Sequence, residues 1–258
     1  MHAKKDFFID GSMGRLNARL DLPELAKGER CPLVICCHGF GGNLDFHLWP
    51  PLAGRLTEHG IGVLRFDFNG CGGSDGEFQD MTVGNEIDDT LDVIGHARSL
   101  GRFSTIALVG HSQGGVVAGM AAGKCGSPQI AALVLLSAAA VLRDDALRGS
   151  SQGAVYDPWH LDKPFYEVPG RGLRLGRAYI QNAMDLPIYE TTAAYTGPAL
   201  ILNGMADRVV PYTYAQRYHE ALAESELRLV PGEDHGWTHD PASAVAVVAD
   251  WLETKLKP

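Results

Sequence analysis

Short apolar runs, separated by stretches with helical spacing, constrain the fold of this chain more than any other sequence feature. A strand that is exposed to solvent on one face alternates between apolar and polar residues, whereas a parallel strand covered on both faces is apolar throughout. The runs are continuous, so they predict an α/β fold with a mostly parallel central sheet and helices on both faces. The predicted strands are residues 33–37, 62–66, 105–109, 132–136, 199–202 and 226–230.

Two earlier segments, residues 6–10 and 16–21, contain strand-forming residues on either side of the turn-forming sequence Gly-Ser-Met-Gly at 11–14. This spacing predicts an antiparallel pair at one edge of the sheet. A length of 258 residues fits one large domain better than two small ones, so residues 1–258 are expected to form a single domain.

One interval is too long for an ordinary connection between strands. Between residues 136 and 199 the chain is rich in glycine, proline, tyrosine and charge. Long irregular segments of compact domains are usually lids or binding loops, and a flexible linker is the alternative. The sequence predicts a lid over residues 142–190, and its aromatic residues favour a packed one: Tyr156, Trp159, Phe165, Tyr166 and Tyr179.

Composition and net charge restrict the kinds of molecule that this chain is expected to bind. Hydrophobic residues make up 45% and charged residues 21% of the chain, which suits a folded core rather than disorder. The formal net charge is −9, and no Lys/Arg cluster of the kind that binds phosphate backbones is present, so no nucleic-acid partner is expected. A small neutral or weakly charged molecule is the expected partner.

The expected location is the cytoplasm. The first residues lack the apolar core of a signal peptide, and no run approaches the roughly 18 apolar residues of a membrane span, so no membrane partner is expected. The five cysteines are odd in number, and Cys36 and Cys37 lie in an apolar run typical of buried thiols. Without CxxC spacing or a compact His/Cys cluster, no metal is expected.

The pattern G-x-S-x-G occurs three times, around Ser74, Ser112 and Ser151. As a nucleophile motif it needs a strand, a sharp turn and then a helix, which hold the serine hydroxyl above the sheet. Ser112 follows the run 105–109 and precedes small residues suited to a closely packed helix. Ser74 follows a glycine-rich loop, and Ser151 has no strand before it. Ser112 is therefore the predicted nucleophile, Ser74 a turn residue and Ser151 a residue of a flexible loop.

A serine hydroxyl needs a base to remove its proton, and histidine is the usual one. For a nucleophile in this setting, the acid and then the base follow the serine in the chain. His235 lies in a loop directly after the last predicted strand and is favoured. The competing histidines are less suited to act as the base. His219 falls within a helical stretch, and His239 falls within the turn before the C-terminal helix.

Asp207 is the predicted acid that orients His235, because it lies in a loop after the run 199–202 at the same sheet edge. A turn or helix-capping aspartate is the alternative for this position. Asp234 is the competing acid, but a side chain adjacent to His235 in sequence usually points away from it.

The backbone N–H groups of Phe40 and Gln113 are the predicted oxyanion hole, which would stabilise negative charge on the substrate oxygen. Gln113 follows the nucleophile directly. Phe40 lies in the sequence His-Gly-Phe-Gly-Gly at 38–42, directly after the run 33–37. A plain glycine-rich turn is the alternative for this segment.

With these residues placed, the chain resembles the α/β-hydrolase superfamily along its whole length, and within it the bacterial cinnamoyl (feruloyl) esterases. The matching segments are HGF at 38–40, GHSQGG at 110–115, DALRGSSQG at 145–153 and AYIQNAMDLPIYE at 178–190. The resemblance implies an α/β-hydrolase fold with a small lid after the sixth strand. It also implies hydrolysis of hydroxycinnamate esters through an acyl-enzyme without a cofactor, and a homodimer.

The resemblance further places Asp145, Gln152 and Tyr179 near the distal ring of the substrate, where polar side chains of the lid hold phenolic hydroxyls. Each has an ordinary alternative: a helix-capping aspartate, a solvated loop residue and an aromatic residue of the lid's own core. A general short-chain esterase or lipase is the competing activity. A peptidase or a non-catalytic binding protein fits less well, given the chain length and the complete set of Ser112, Asp207 and His235.

Overall fold

The computed structural model describes residues 3–256. None of the helices in this part of the chain is long and apolar enough to cross a membrane. The strands are β1 (Ala3–Gly11), β2 (Gly14–Leu22), β3 (Cys31–Cys37), β4 (Gly62–Phe66), β5 (Phe103–His111), β6 (Ala132–Leu136), β7 (Ser150–Ser151), β8 (Ala154–Val155), β9 (Phe165–Val168), β10 (Leu173–Gly176), β11 (Ala199–Gly204) and β12 (Ser225–Val230). The helices are α1 (Trp49–Glu58), α2 (Val83–Ser99), α3 (Gln113–Cys125), α4 (Val141–Arg148), α5 (Arg177–Asp185), α6 (Ile188–Thr192), α7 (Thr213–Ala221) and α8 (Pro241–Leu256), with a 3₁₀ turn at Phe78–Asp80.

Eight strands form the central sheet in the order β1-β2-β4-β3-β5-β6-β11-β12. The pairs β1–β2 and β2–β4 are antiparallel, and the remaining neighbours run parallel. All eight predicted strands are present, and the edge pair has the predicted orientation. The chain therefore has the α/β-hydrolase fold, with a mixed but mostly parallel sheet.

Strand β3 shows why the apolar runs are continuous. Leu33, Ile35 and Cys37 belong to one buried cluster, which includes residues of α2 and α3. Val34 and Cys36 belong to a second cluster on the other face, which includes residues of α1 and α8. Successive side chains of a strand point to opposite faces, so a sheet covered on both sides needs an apolar residue at every position.

Cys36 and Cys37 are buried thiols, as their sequence context predicts. All five lie in the described part of the chain and are free, and four of them are buried. Loss of hydration raises the pKa of the Cys37 thiol to about 12, so this side chain stays neutral and packs as a small apolar group.

The interval between β6 and β11 folds against the domain. It contains α4, the hairpins β7–β8 and β9–β10, and helices α5 and α6. Tyr156, Tyr166 and Tyr179 are buried within it, as expected of a packed segment. Trp159 does not fit that expectation, because 72% of it is exposed. It lies in a turn in which the Asp157 carboxylate accepts the backbone N–H of Trp159. We call residues 142–190 of this interval the insertion.

Candidate active site

Ser112 lies at the junction between β5 and α3. Its backbone has a φ of +55°, a region that costs a residue with a side chain about 1–3 kcal/mol. The turn is held from the neighbouring strand, because the Ser112 N–H donates to the carbonyl of Leu136 at 2.9 Å. A Cβ on Gly110 would overlap the carbonyl of Gly114, so the first glycine of the motif allows the tight turn. The structure thus has the strand-turn-helix arrangement predicted for this serine.

Ser112, His235 and Asp207 form one hydrogen-bonded chain. The Oγ of Ser112 is 2.9 Å from Nε2 of His235, and Nδ1 of His235 is 2.8 Å from Oδ2 of Asp207. The Asp207 side chain is fully buried. With the imidazole proton on Nδ1, His235 donates to Asp207 and its Nε2 accepts from the serine hydroxyl. This arrangement lets His235 take the serine proton.

Asp207 also closes its own turn. Its Oδ1 accepts the backbone N–H groups of Val209 at 2.8 Å and Val210 at 2.7 Å. Asp207 therefore makes both the turn contacts and the contact with His235, one set for each carboxylate oxygen. The two turn hydrogen bonds fix the direction in which Oδ2 faces His235.

The competing acid and bases lie in other environments. Asp234 accepts from the backbone N–H and the hydroxyl of Thr238. His219 is exposed on α7, with its Nδ1 2.8 Å from the Ser225 hydroxyl. His239 lies before α8, as expected.

The other two copies of the serine motif are structural. Ser74 is a turn residue, as predicted, and its hydroxyl donates to the carbonyl of Asp67 at 2.7 Å. Ser151 was predicted in a flexible loop, and this is wrong: it lies in β7, is 3% exposed and hydrogen-bonds to the hydroxyl of Tyr156. Pairing with β8 orders this segment.

Two residues absent from the sequence predictions hold the loop of His235. The buried carboxylate of Glu233 accepts the backbone N–H groups of Asp234, His239 and Asp240. The Nε2 of His111 lies 2.8 Å from the carbonyl of His235. Burial, helped by the nearby His235, lowers the pKa of His111 to about 3, so its neutral ring donates this hydrogen bond. The available signals were the polar residue Glu233 in the loop after the last strand and His111 inside the serine motif.

The two predicted oxyanion residues lie on either side of Ser112. Gln113 is the first residue of α3, where helix N–H groups are free of helical partners. The loop that holds Phe40 also approaches the nucleophile, because a Cβ on Gly39 would lie 3.0 Å from the Cβ of Ser112. The backbone next to Phe40 and that of Gln113 therefore both lie beside the nucleophile.

A cleft of about 300 Å³ opens at Ser112 and His235. Its walls are mostly apolar, and the insertion contributes Gln152 and Arg171. The lining is Gly39, Phe40, Gly42, Phe46, His111, Ser112, Gln152, Arg171, Val209 and His235. A neighbouring cleft shares Gln152 and Val209 with it and includes Asp145.

The three insertion residues implied by the resemblance lie in different places. Gln152 lines the cleft of Ser112. Asp145 lies in the neighbouring cleft and pairs with Arg148, and partial burial raises the pKa of its carboxyl. Tyr179 lines neither of these clefts; it is 1% exposed, and its hydroxyl donates to Oε1 of Gln113 at 2.8 Å.

Sequence reasoning also missed Glu86 and Arg171. Glu86 is buried in α2 and accepts from Nε2 of Gln113 at 2.8 Å. The available signal was the spacing. Glu86 lies three positions after Val83 and four before Thr90, so a charged residue falls on the buried face of the helix. Arg171 donates from Nη2 to the carbonyl of Phe40 at 3.1 Å and stacks on the Phe40 ring. Nothing in its loop sequence indicated that contact.

Known proteins are similar to this chain in structure or in sequence. The structure of Est1E from Butyrivibrio proteoclasticus, solved with ferulic acid bound, is 30% identical and superposes with a TM-score of 0.91 over 98% of this chain and 100% of that one. The uncharacterized protein YfhR of Salmonella typhi is 26% identical over 78% of this chain and 63% of its own length. The putative carbamate hydrolase RutD of Variovorax paradoxus is 26% identical over 81% of this chain and 86% of its own.

The chain spans 63–64% of the length of the first curated relatives that it matches. A family profile described as "Alpha/beta hydrolase family" matches residues 34–250, which is most of the sequence. On this match, together with its fold and the geometry around Ser112, the chain belongs to the alpha/beta hydrolase family.

Proposed function

We propose that this protein is a serine carboxylesterase that hydrolyses hydroxycinnamate esters through an acyl-enzyme. The observation that carries the proposal is the hydrogen-bonded chain of Ser112, His235 and Asp207 at the floor of a cleft. The fold shared with Est1E, which binds ferulic acid, supports this class of acyl group.

Each residue has a defined role in the proposed reaction. The Ser112 Oγ attacks the ester carbonyl while His235 takes its proton, and Asp207 stabilises the charged imidazole. The negative oxygen of the tetrahedral intermediate accepts from the N–H groups of Phe40 and Gln113. His235 then protonates the departing alcohol. A water molecule, activated by His235 in the same way, releases the acid from Ser112.

The cleft suits a flat aromatic acyl group with a polar end. Phe40, Phe46 and Val209 supply apolar walls next to Ser112. Gln152 joins this cleft to the neighbouring one, where Asp145 supplies a hydrogen-bonding carboxyl. We propose that the insertion acts as a lid and that the phenolic hydroxyl of the substrate reaches Gln152 and Asp145.

The decisive variant is Ser112→Ala. It removes the nucleophile, so we expect kcat for methyl ferulate to fall by a factor on the order of 10⁴ or more. Ser74→Ala is the matched control, because Ser74 occupies another copy of the same motif, and it should retain activity. Fluorophosphonate labelling that persists in Ser112→Ala would contradict the assignment.

A general short-chain esterase or lipase is the second candidate, favoured by the apolar walls at Phe40, Phe46 and Val209. A hydrolysis panel of methyl ferulate, methyl p-coumarate, chlorogenic acid, p-nitrophenyl butyrate and a long-chain ester separates the two.

If Asp145 binds the phenol, Asp145→Asn should reduce the preference for methyl p-coumarate over methyl cinnamate by roughly five- to a hundredfold. An unchanged preference favours the general esterase.

We also propose a homodimer, which the resemblance implies. Sedimentation equilibrium should then give twice the chain mass of 27.8 kDa, and a mass equal to one chain at all concentrations would exclude it.

A further inference from the structure

Helix α5 of the insertion is fixed to the body of the domain. The Oδ1 of Asn182 accepts the backbone N–H of Gly84, at the start of α2, at 2.9 Å. At the other end of α5, a Cβ on Gly176 would overlap the carbonyl oxygen of Gln79. These contacts hold one end of α5 against α2 and the other against the 3₁₀ turn at Phe78–Asp80.

Tyr179 on this helix holds the side chain of Gln113. Its hydroxyl donates to Gln113 Oε1 at 2.8 Å, and Gln113 Nε2 donates to Oε2 of Glu86, also at 2.8 Å. All three residues are at least 98% buried. A donor on one side and an acceptor on the other fix a single orientation of the amide. Because Gln113 is also the first residue of α3, the same contacts restrain the backbone beside Ser112.

Tyr179 also contacts Phe40. The two rings pack edge to face, with centroids 5.8 Å apart, and Phe78 packs against the Phe40 ring in the same way at 5.0 Å. Tyr179 therefore contacts both residues whose N–H groups form the proposed oxyanion hole, Gln113 through its hydroxyl and Phe40 through its ring. Its hydroxyl is directed to the protein rather than to the cleft.

We propose that Tyr179 is a positioning residue that aligns the backbone N–H groups of Gln113 and Phe40 on the substrate oxygen, an inference that rests on the proposed esterase function. Oxyanion donors act only when they are aligned beforehand, and removing one typically costs 10²–10³ in kcat. Loosening their alignment should cost less, about 10- to 100-fold. The loss should be the same for every ester, since every ester forms the same oxyanion.

The test is Tyr179→Phe, which keeps the ring and removes the hydroxyl. We expect kcat and kcat/KM to fall by one common factor, with KM unchanged, for p-nitrophenyl acetate, methyl cinnamate and methyl p-coumarate. Such a pattern marks an interaction that matters only in the transition state. The acetate is the critical substrate, because its acyl group carries no phenolic hydroxyl that Tyr179 could bind.

The matched control is Tyr166→Phe, the same substitution in the same insertion. The Tyr166 hydroxyl hydrogen-bonds to Asp162 and the backbone of Lys163, so this variant should behave as the wild type. Gln113→Leu gives a second route, because it removes both amide hydrogen bonds and keeps the backbone N–H. Adding Tyr179→Phe to Gln113→Leu should then cause no further loss.

Two results would overturn the proposal. A loss confined to methyl p-coumarate would make Tyr179 a ligand of the phenolic hydroxyl. Activity equal to that of the wild type with all three esters would leave it a packing residue only. Failure of the esterase function itself looks different: wild type would then hydrolyse none of these esters and would resist fluorophosphonate labelling at Ser112.

Discussion

At the residue scale, the protonation state of Glu86 is unusual. Burial raises the pKa of its carboxyl from an ordinary 4.5 to about 8; the hydrogen bond from Gln113 opposes this shift, and nearby Asp89 adds to it. The Oε1 of Glu86 has no hydrogen-bond partner among residues 3–256, so little compensates a charge there. At neutral pH the carboxyl beneath the active site is therefore mainly the neutral acid.

This neutral acid makes stability depend on pH. The unfolded chain loses the Glu86 proton near pH 4.5 and the folded chain near pH 8, so the stability that this group contributes is complete below about pH 4.5 and is lost as pH rises to about 8. Glu86→Gln cannot lose a proton and can still accept from Gln113. Its melting temperature relative to wild type should therefore rise between pH 5 and pH 8.

The control for this prediction is Glu220→Gln, at an exposed position on α7. Its melting temperature relative to wild type should stay constant over the same pH range. A constant difference for Glu86→Gln as well would mean that Glu86 is already ionised in the folded protein at pH 5.

At the element scale, the close packing of α3 on β3 positions the nucleophile. A Cβ on Gly114 would overlap the carbonyl oxygens of Cys37 and His38 at the end of β3. Gly114→Ala should destabilise the protein by about 1–3 kcal/mol or more, because a packed backbone has to move. Urea unfolding measures this change in the free energy of unfolding.

Gly95→Ala in α2 is the matched control, because a Cβ there meets no atom within 4 Å. Alanine is the better helix former, so this variant should gain up to ~1 kcal/mol. Equal stability of the two variants would show that α3 does not need the close approach at Gly114.

At the scale of the whole molecule, one buried arginine joins the antiparallel edge of the sheet to the parallel part. Arg65 on β4 is 1% exposed and pairs with Asp21 on β2 at 2.8 Å. It also contacts Asp45 and the carbonyl of Leu44, in the loop after β3. This cluster ties three parts of the domain together around a single buried positive charge.

Removing one partner of a buried pair typically costs 3–5 kcal/mol, because the other charge is left without compensation. Asp21→Ala should cost about 3 kcal/mol, the lower end, since Asp45 still faces Arg65. Asp6→Ala is the control: Asp6 pairs at the surface with Arg19, and such pairs contribute about 0–1 kcal/mol. Similar urea midpoints for the two variants would argue against the structural role of Asp21.

The sequence by itself determined the sheet and the placement of the reactive residues. A strand covered on both faces must be apolar along its length, so the local run at 33–37 already indicates its surroundings. Ser112 needs a strand, a turn and a helix in immediate succession, which is also a local pattern. Asp207 and His235 follow from position, because loops at the ends of parallel strands meet at one edge.

Only the tertiary structure decided where the side chains of the insertion point. Gln113 and Tyr179 are 66 residues apart, and their hydrogen bond exists because α5 lies against α2 and α3. Likewise, Ser151 is buried by pairing with β8, and Trp159 is exposed by the turn at Asp157. Local patterns state which residue types a segment contains, but the neighbour of a given side chain depends on how distant elements pack.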